Sequence, residues 1–159
     1  QFDSPGAAQG GVVLDLSKPL ARYLAEHAAT GREYICCDLG LLVRRDPDTV
    51  HYPAISFLSG GSRFAESDKA FTEVVPRLVV EIASTNARRR GLADRVSAYL
   101  RHGVDVVWIV DTLERCVHVA RSGVASATYG DADVLTGEPV LPGMELTVAA
   151  LFSPPDWWK

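Results

Sequence analysis

The sequence of 159 residues lacks the patterns that mark most metal and cofactor sites. Its three cysteines lie at positions 36, 37 and 116, and an odd number without Cys-X-X-Cys spacing argues against a disulfide framework or a zinc site. The four histidines are scattered, with no HxxxH or HExxH spacing. Because GxSxG, Walker and GxGxxG motifs are also absent, serine hydrolases and nucleotide-binding proteins have no support here.

Long apolar runs and a strong net charge are lacking too. No run approaches the roughly 20 apolar residues that a membrane helix needs, so we expect no membrane association. The net charge of −4 gives no general attraction to nucleic acid, and any such binding would need a local basic patch. No signal peptide is visible, and with unpaired cysteines a reducing cytoplasm is the expected location.

The spacing of apolar residues predicts one α/β (α+β) domain with a mixed sheet. We expect a helix, three strands, a second helix, a further strand and a hairpin, over residues 16–31, 33–43, 51–59, 77–83, 87–102, 105–111, 116–120 and 125–129. The strands at the two ends of 77–111 should be parallel, because a helix connects them. We expect a flexible N-terminal segment over 1–11, a single domain over 12–152 and a C-terminal tail over 153–159.

The predicted strand RLVVEIAS, residues 77–84, contains a glutamate among apolar residues. Side chains alternate along a strand, so Glu81 lies on the face opposite Val80 and Ile82. A buried carboxylate needs a partner, a metal or a proton. Glu81 is therefore either a ligand-binding residue near the end of its strand or a residue without such a role. In the second case it pairs with an arginine of the next helix, or the end of its strand is exposed. The predicted core comprises Val80, Ile82, Val107, Ile109, Val96 and Leu100.

Three consecutive arginines, Arg88, Arg89 and Arg90, lie at the start of the second predicted helix. The helix dipole disfavours cations there, and bound phosphate would offset that cost. The alternative is a charged turn in water.

Three stretches resemble the Uma-type putative restriction endonuclease family of the PD-(D/E)XK nuclease superfamily: DPDTVHYPAISFLS, the stretch from RLVVEIAS through VWIVD to RCVHV, and VLPGMELTVAALF. The resemblance covers about residues 14–152. It implies a restriction-endonuclease-like mixed β-sheet flanked by helices, with an extra C-terminal β-hairpin. It also implies hydrolysis of phosphodiester bonds in DNA with Mg²⁺, held by an aspartate on one strand and by a glutamate, matched by Glu81, on its neighbour.

Other positions depart from the family pattern. The family usually has Pro-Asp where this chain has Pro53-Ala54, so the metal-binding aspartate is missing. The lysine of the superfamily strand is replaced by Ala83, and the lysine that this branch supplies from the helix is Arg95, four residues before Tyr99. An arginine holds phosphate but does not act as a base. The N-terminal strand of the family is absent as well.

The resemblance leaves two hypotheses. The first is a Mg²⁺-dependent DNA endonuclease, impaired by Ala54, with Glu81 as metal ligand, Arg95 on the scissile phosphate and Arg88–Arg90 along the backbone. The second is a non-catalytic domain of the same fold that binds nucleic acid or associates with proteins, including as a homodimer. Another acid could replace the missing aspartate, the activity could be lost, or Ala54 could be engineered. The candidate acids are Asp38, Glu66, Asp68 and Glu73.

Overall fold

A computed structural model describes residues 7–27, 32–60 and 69–153 of the chain. The described residues form three α-helices, ten strands and a final 3-10 helix (Val148–Phe152). The helices are α1 (Ala7–His27), α2 (Asn86–Arg89) and α3 (Leu92–His102). The strands are β1 (Glu33–Cys37), β2 (Leu41–Arg44), β3 (Thr49–His51), β4 (Ile55–Ser59), β5 (Leu78–Ala83), β6 (Val106–Asp111), β7 (Cys116–Arg121), β8 (Val124–Tyr129), β9 (Val134–Thr136) and β10 (Glu145–Thr147).

Six of the described strands form the main sheet, in the order β1-β4-β5-β6-β7-β8. Strands β5 and β6 are parallel, as predicted, because α2 and α3 carry the chain back to the starting edge. The other neighbours in this sheet are antiparallel, and the predicted hairpin of β7 and β8 extends it. Strands β9 and β10 form a separate antiparallel pair, as do β2 and β3. The predicted mixed sheet with flanking helices is therefore confirmed.

The two faces of the sheet bury separate apolar clusters. On one face, α1 contributes Leu16 and Leu20 to a cluster that includes Val80 and Ile82 of β5. On the other face, Tyr99 of α3 packs with Val79, Val107 and Leu41. Of the predicted core residues, Val80, Ile82 and Val107 are buried, whereas Val96, Leu100 and Ile109 are half-buried against the second cluster.

The first helix begins earlier than predicted. The expected flexible segment over 1–11 is wrong for residues 7–11, which belong to α1, while 1–6 lie outside the described residues. Ser17, near the start of the helix predicted over 16–31, lies well inside α1, where its hydroxyl donates to the Val13 carbonyl at 2.6 Å. Pro19 is also internal. In the described part of the chain no helix is long and apolar enough to cross a membrane.

Two predicted strands and the second predicted helix are each divided. The expected strand 33–43 breaks at Asp38, whose backbone has a φ of 52°. The expected strand 51–59 breaks into β3 and β4, and β3 pairs with β2 as a small hairpin outside the main sheet. The helix expected over 87–102 breaks at Gly91, which has a φ of 68°. Two of the three breaks, at Asp38 and Gly91, coincide with a residue of positive φ.

Candidate functional site

Glu81 lies at the centre of the main sheet, on the face that α3 covers. Its strand β5 is buried at every position, and Glu81 itself is 6 % exposed. The neighbouring residue in β6 is Ile109, which provides no polar partner. The carboxylate therefore depends for its partners on the helix packed above it.

Two residues of α3 satisfy Glu81. The Tyr99 hydroxyl donates to Glu81 Oε1 at 2.7 Å, and Arg95 Nε lies 3.4 Å from the same oxygen. These residues are four positions apart in a helix, so they lie on one face, one turn apart. Burial, together with the charge of Glu81, raises the pKa of Tyr99, which keeps the phenol a neutral donor. Arg95 is thus the arginine of the next helix that pairs with Glu81, which is one of the two alternatives that the sequence left open.

Arg95 also stabilises the turn between α2 and α3. Its guanidinium donates to the carbonyl oxygens of Arg88 at 3.0 Å and Arg90 at 3.3 Å. These carbonyls lie at the end of α2, whose other end is capped by the Thr85 hydroxyl, and helix ends need such external partners. Arg95 therefore combines an ion pair with a structural role, and its side chain is 26 % exposed.

His51 of β3 is a third neighbour of this carboxylate, and the sequence analysis did not identify it. Its ring contacts the Tyr99 ring edge-on, with centroids 5.5 Å apart. Burial lowers the pKa of His51, the Glu81 carboxylate acts in the opposite direction, and Arg95 adds to the lowering. We call Glu81, Arg95, Tyr99 and His51 the Glu81 cluster.

Ala54 lies next to Glu81, just before β4. Its backbone N–H donates to the Val80 carbonyl at 2.9 Å, which places it beside β5 and one residue from Glu81. Its side chain is 5 % exposed and belongs to the apolar cluster on the α1 face. An aspartate here would therefore be buried, and would need a cation or hydrogen bonds to offset its desolvation.

The three consecutive arginines differ in their surroundings. Arg89 Nη2 lies 2.5 and 2.6 Å from the two carboxylate oxygens of Asp111, the last residue of β6. Asp111 is 7 % exposed and also accepts the backbone N–H groups of Leu113 and Glu114, each at 3.0 Å. Arg90 is exposed, and Arg88 is half-buried. Arg89 is therefore held in an ion pair and not free to follow a nucleic-acid backbone.

The environment of Asp111 favours its charged form. Burial alone would raise the pKa of Asp111, but hydrogen bonds from the Glu114 N–H, the Arg89 guanidinium and the Leu113 N–H outweigh burial and lower it. The acidic end of VWIVD is thus explained by a structural ion pair. The sequence analysis did not assign this role to Asp111, because the Arg89–Asp111 pair depends on the close approach of α2 to the end of β6.

In the described residues, the Glu81 cluster contains a single carboxylate. No group of three or more His, Cys, Asp or Glu in the described ranges could hold a metal. Among the candidate replacement acids, Glu73 pairs with Arg45, and Glu66 and Asp68 lie outside the described residues. Asp38 is exposed, and its backbone N–H donates to the Ala54 carbonyl at 3.3 Å, so it lies beside the position of the missing aspartate.

The sequence and the fold were compared with known proteins. Residues 3–149 match the Uma2 family, which is described as a putative restriction endonuclease. No protein of curated function matches the sequence. The fold is similar to the crystal structure of a putative nuclease belonging to DUF820 from Anabaena variabilis, with a TM-score of 0.78. The match covers 96 % of this chain and 84 % of that one, at 15 % identity, so it shows a shared fold.

Proposed function

We propose, since this chain belongs to the Uma2 family of putative restriction endonucleases, that it is a nuclease domain acting on phosphodiester bonds in DNA. In this proposal the active site is the Glu81 cluster, and Ala54 impairs its metal-dependent chemistry. The observation that carries the proposal is the buried Glu81 carboxylate, held by Tyr99 and Arg95 at the centre of the sheet. A carboxylate fixed in this way is oriented before any substrate arrives.

Arg95 is the residue we assign to the substrate phosphate. Its guanidinium is permanently charged and matches the geometry of phosphate oxygens, and its side chain is partly accessible. It cannot remove a proton from water, because an arginine remains protonated in proteins. Arg90, which is exposed near the same turn, would contribute a second positive charge to a bound strand.

Impairment follows from the number of carboxylates. Mg²⁺ in nucleic-acid enzymes is held by one or two carboxylates together with waters and substrate phosphates. At this site Glu81 is the one carboxylate of the cluster, and Arg95 already neutralises part of its charge. We therefore expect weak metal affinity and slow cleavage.

The test compares this chain with Ala54→Asp, Ala54→Asn and Glu81→Gln on plasmid and single-stranded DNA with Mg²⁺ or Mn²⁺. We expect Ala54→Asp to increase metal-dependent cleavage, because it restores the aspartate that the family usually has at this position. Without metal, this variant should unfold at a lower temperature than the parent, and Mn²⁺ should raise its Tm. Ala54→Asn is nearly isosteric but uncharged, and it should gain neither cleavage nor the metal-dependent rise in Tm.

The outcomes separate an impaired site from an intact one. Suppose that the parent chain cuts DNA, that Glu81→Gln abolishes the cleavage and that Asp38→Asn reduces it. This result would show that Asp38 replaces the missing aspartate. Absence of cleavage in every variant, with no effect of Mn²⁺ on the Tm of Ala54→Asp, would refute the nuclease proposal for the Glu81 cluster.

A second function is favoured by Ala54 and by the ion pair that Arg95 makes with Glu81. A domain that retained the fold and lost the metal would bind nucleic acid without cutting it, or associate with proteins, including a second copy of itself. Salt-dependent DNA binding without cleavage in any variant would support the first of these roles.

A further inference from the structure

A groove opens between the β2–β3 hairpin and α3, beside the Glu81 cluster. Its volume is about 430 Å³, which lies within the range of small-ligand sites. Arg44 and Thr49 line it from the hairpin, and Arg101 and His102 line it from the helix. His51, the remaining polar residue of its wall, also contacts Tyr99 in the Glu81 cluster.

The charged side chains that line the groove are all positive, although the protein as a whole is acidic. No carboxylate lines it among the described residues. The side chains of Arg44 and Arg101 form no ion pair or hydrogen bond with any residue in the described ranges. Three other surface arginines have acidic partners: Arg45 pairs with Glu73, Arg77 with Asp105, and Arg115 with Asp131. Two unneutralised guanidinium groups therefore face one concave surface, where their potentials add.

A polar atom of the groove wall also lacks a partner. His102 Nε2 is buried and has no hydrogen-bond partner in the described part of the structure. Buried polar atoms are rarely left in this state, and a bound ligand or water is a common explanation. With the Thr49 hydroxyl and the two guanidinium groups, the lining consists mainly of hydrogen-bond donors, which suits an anion with several acceptor oxygens.

We propose that this groove, lined by Arg44, Thr49, Arg101 and His102, binds a backbone phosphate of the nucleic-acid strand that occupies the Glu81 cluster. The inference rests on the proposed function, because it treats the groove and the Glu81 cluster as parts of one binding surface. The connection is short: His51 forms the groove wall, its ring contacts Tyr99, and Tyr99 donates to Glu81. A strand crossing Glu81 would therefore pass over the groove.

The test measures binding of a labelled single-stranded oligonucleotide in EDTA, where metal-dependent cleavage cannot occur. The groove variant Arg44→Gln/Arg101→Gln is compared with Lys18→Gln/Arg22→Gln, which removes the same charge from exposed positions on α1, on the opposite face of the sheet. We expect the groove variant to lower affinity about tenfold or more. The slope of log affinity against log salt should become shallower by about 0.7 for each phosphate that the variant no longer binds. The control variant should change neither the affinity nor the slope by much.

Equal losses in the two variants would overturn the proposal, because general charge would then explain binding. Absence of salt-dependent binding by the parent chain would overturn it as well. Thymidine monophosphate serves as a small-anion probe. If it binds as tightly as the oligonucleotide and loses affinity equally in the groove variant, the ligand is a small anion and the proposed strand is excluded. Circular dichroism should confirm that both variants remain folded.

Failure of this proposal is distinguishable from failure of the nuclease proposal. If no variant at position 54 cuts DNA but the groove variant loses binding, the groove assignment stands and the nuclease assignment fails. If the parent chain cuts DNA and the groove variant binds and cuts equally well, the nuclease assignment stands and the groove assignment fails.

Discussion

Glu81 is stable in the interior because two donors on one helix face share one of its oxygens. Tyr99 supplies a short neutral hydrogen bond, and Arg95 supplies a longer, charged one. Removing either donor would leave a buried carboxylate poorly satisfied, and such groups cost more free energy than the bond itself contributes. The cluster therefore links stability to the orientation of the candidate catalytic group.

Tyr99→Phe should destabilise the protein by about 2 kcal/mol, because it removes a buried hydrogen bond to a charged group and little else. Chemical denaturation at pH 7 would measure the change. Tyr23→Phe is the matched control: its hydroxyl donates to the Pro142 carbonyl at an exposed position, so its loss should cost less than about 0.5 kcal/mol. Equal effects of the two substitutions would show that the Tyr99–Glu81 bond contributes nothing special.

Asp111→Asn should destabilise the protein by about 3 kcal/mol at neutral pH, because it leaves the Arg89 charge without its buried partner. The pKa of Asp111 is lowered in the folded state, so its contribution is present above the unfolded pKa of about 3.9 and is lost as the pH falls through the folded pKa. The stability difference between the parent and Asp111→Asn should therefore shrink in acid.

Denaturation curves recorded from pH 7 down to about pH 3 would measure this dependence. Asp131→Asn removes an exposed pair with Arg115 and should cost about 0.5 kcal/mol or less. A stability difference for Asp111→Asn that stays constant in acid would contradict the assigned direction of the pKa.

The sequence was informative about residues whose type conflicts with their surroundings. Glu81 was identified because a carboxylate interrupts an apolar strand. Arg95 was identified through the family resemblance, as the position of the helix lysine four residues before Tyr99. His51 and the Arg89–Asp111 pair were missed, because both depend on contacts between elements far apart in the chain. No local pattern distinguishes a histidine that will contact Tyr99 from one that will face water.

At the scale of elements, Gly91 separates α2 from α3 and so creates the turn whose carbonyls Arg95 binds. It adopts a φ of 68°, a left-handed conformation that residues with a Cβ resist. The nearest atom that a Cβ would meet is Arg95 Nη1, at 3.9 Å, so the position is not crowded. The requirement for glycine there is conformational.

Gly91→Ala should therefore destabilise the protein by about 1 kcal/mol through backbone strain alone. The control is Gly10→Ala within α1, where a Cβ would meet nothing within 4 Å and where alanine favours the helix. That substitution should stabilise the protein by about 0.5 to 1 kcal/mol. Thermal denaturation of both variants would test the prediction, and a shift of the same sign in both would contradict it.

The existence of the central elements was predictable, but their breaks were not. The parallel pair of β5 and β6 follows from two apolar runs joined by a helical segment. By contrast, residues 33–43 form a nearly continuous apolar run, and the positive φ of Asp38 divides it between two sheets. The β2–β3 hairpin, and with it the groove, follows from this division and was therefore outside what the sequence could indicate.

At the scale of the whole molecule, the chemistry is confined to one face of the sheet. The α1 face is a large apolar cluster, whereas the α3 face holds the Glu81 cluster, the Arg89–Asp111 pair and the cationic groove. The net charge of −4 is therefore compatible with DNA binding, because the attraction is local. Because few positive charges participate, the affinity should fall only moderately as the salt concentration rises.

The same architecture predicts how protection from hydrogen exchange varies across the sheet. Strand β5 is central and buried at each position, whereas β8 is an edge strand exposed along nearly its whole length and has no charged side chain. We expect the amides of β5 and β6 to exchange at rates close to those of global unfolding, and the outward-facing amides of β8 to exchange much faster. Native-state exchange followed by NMR at several protein concentrations would measure this. If the β8 amides were strongly protected at high concentration and lost that protection on dilution, a second copy of the chain would have to pair with this edge.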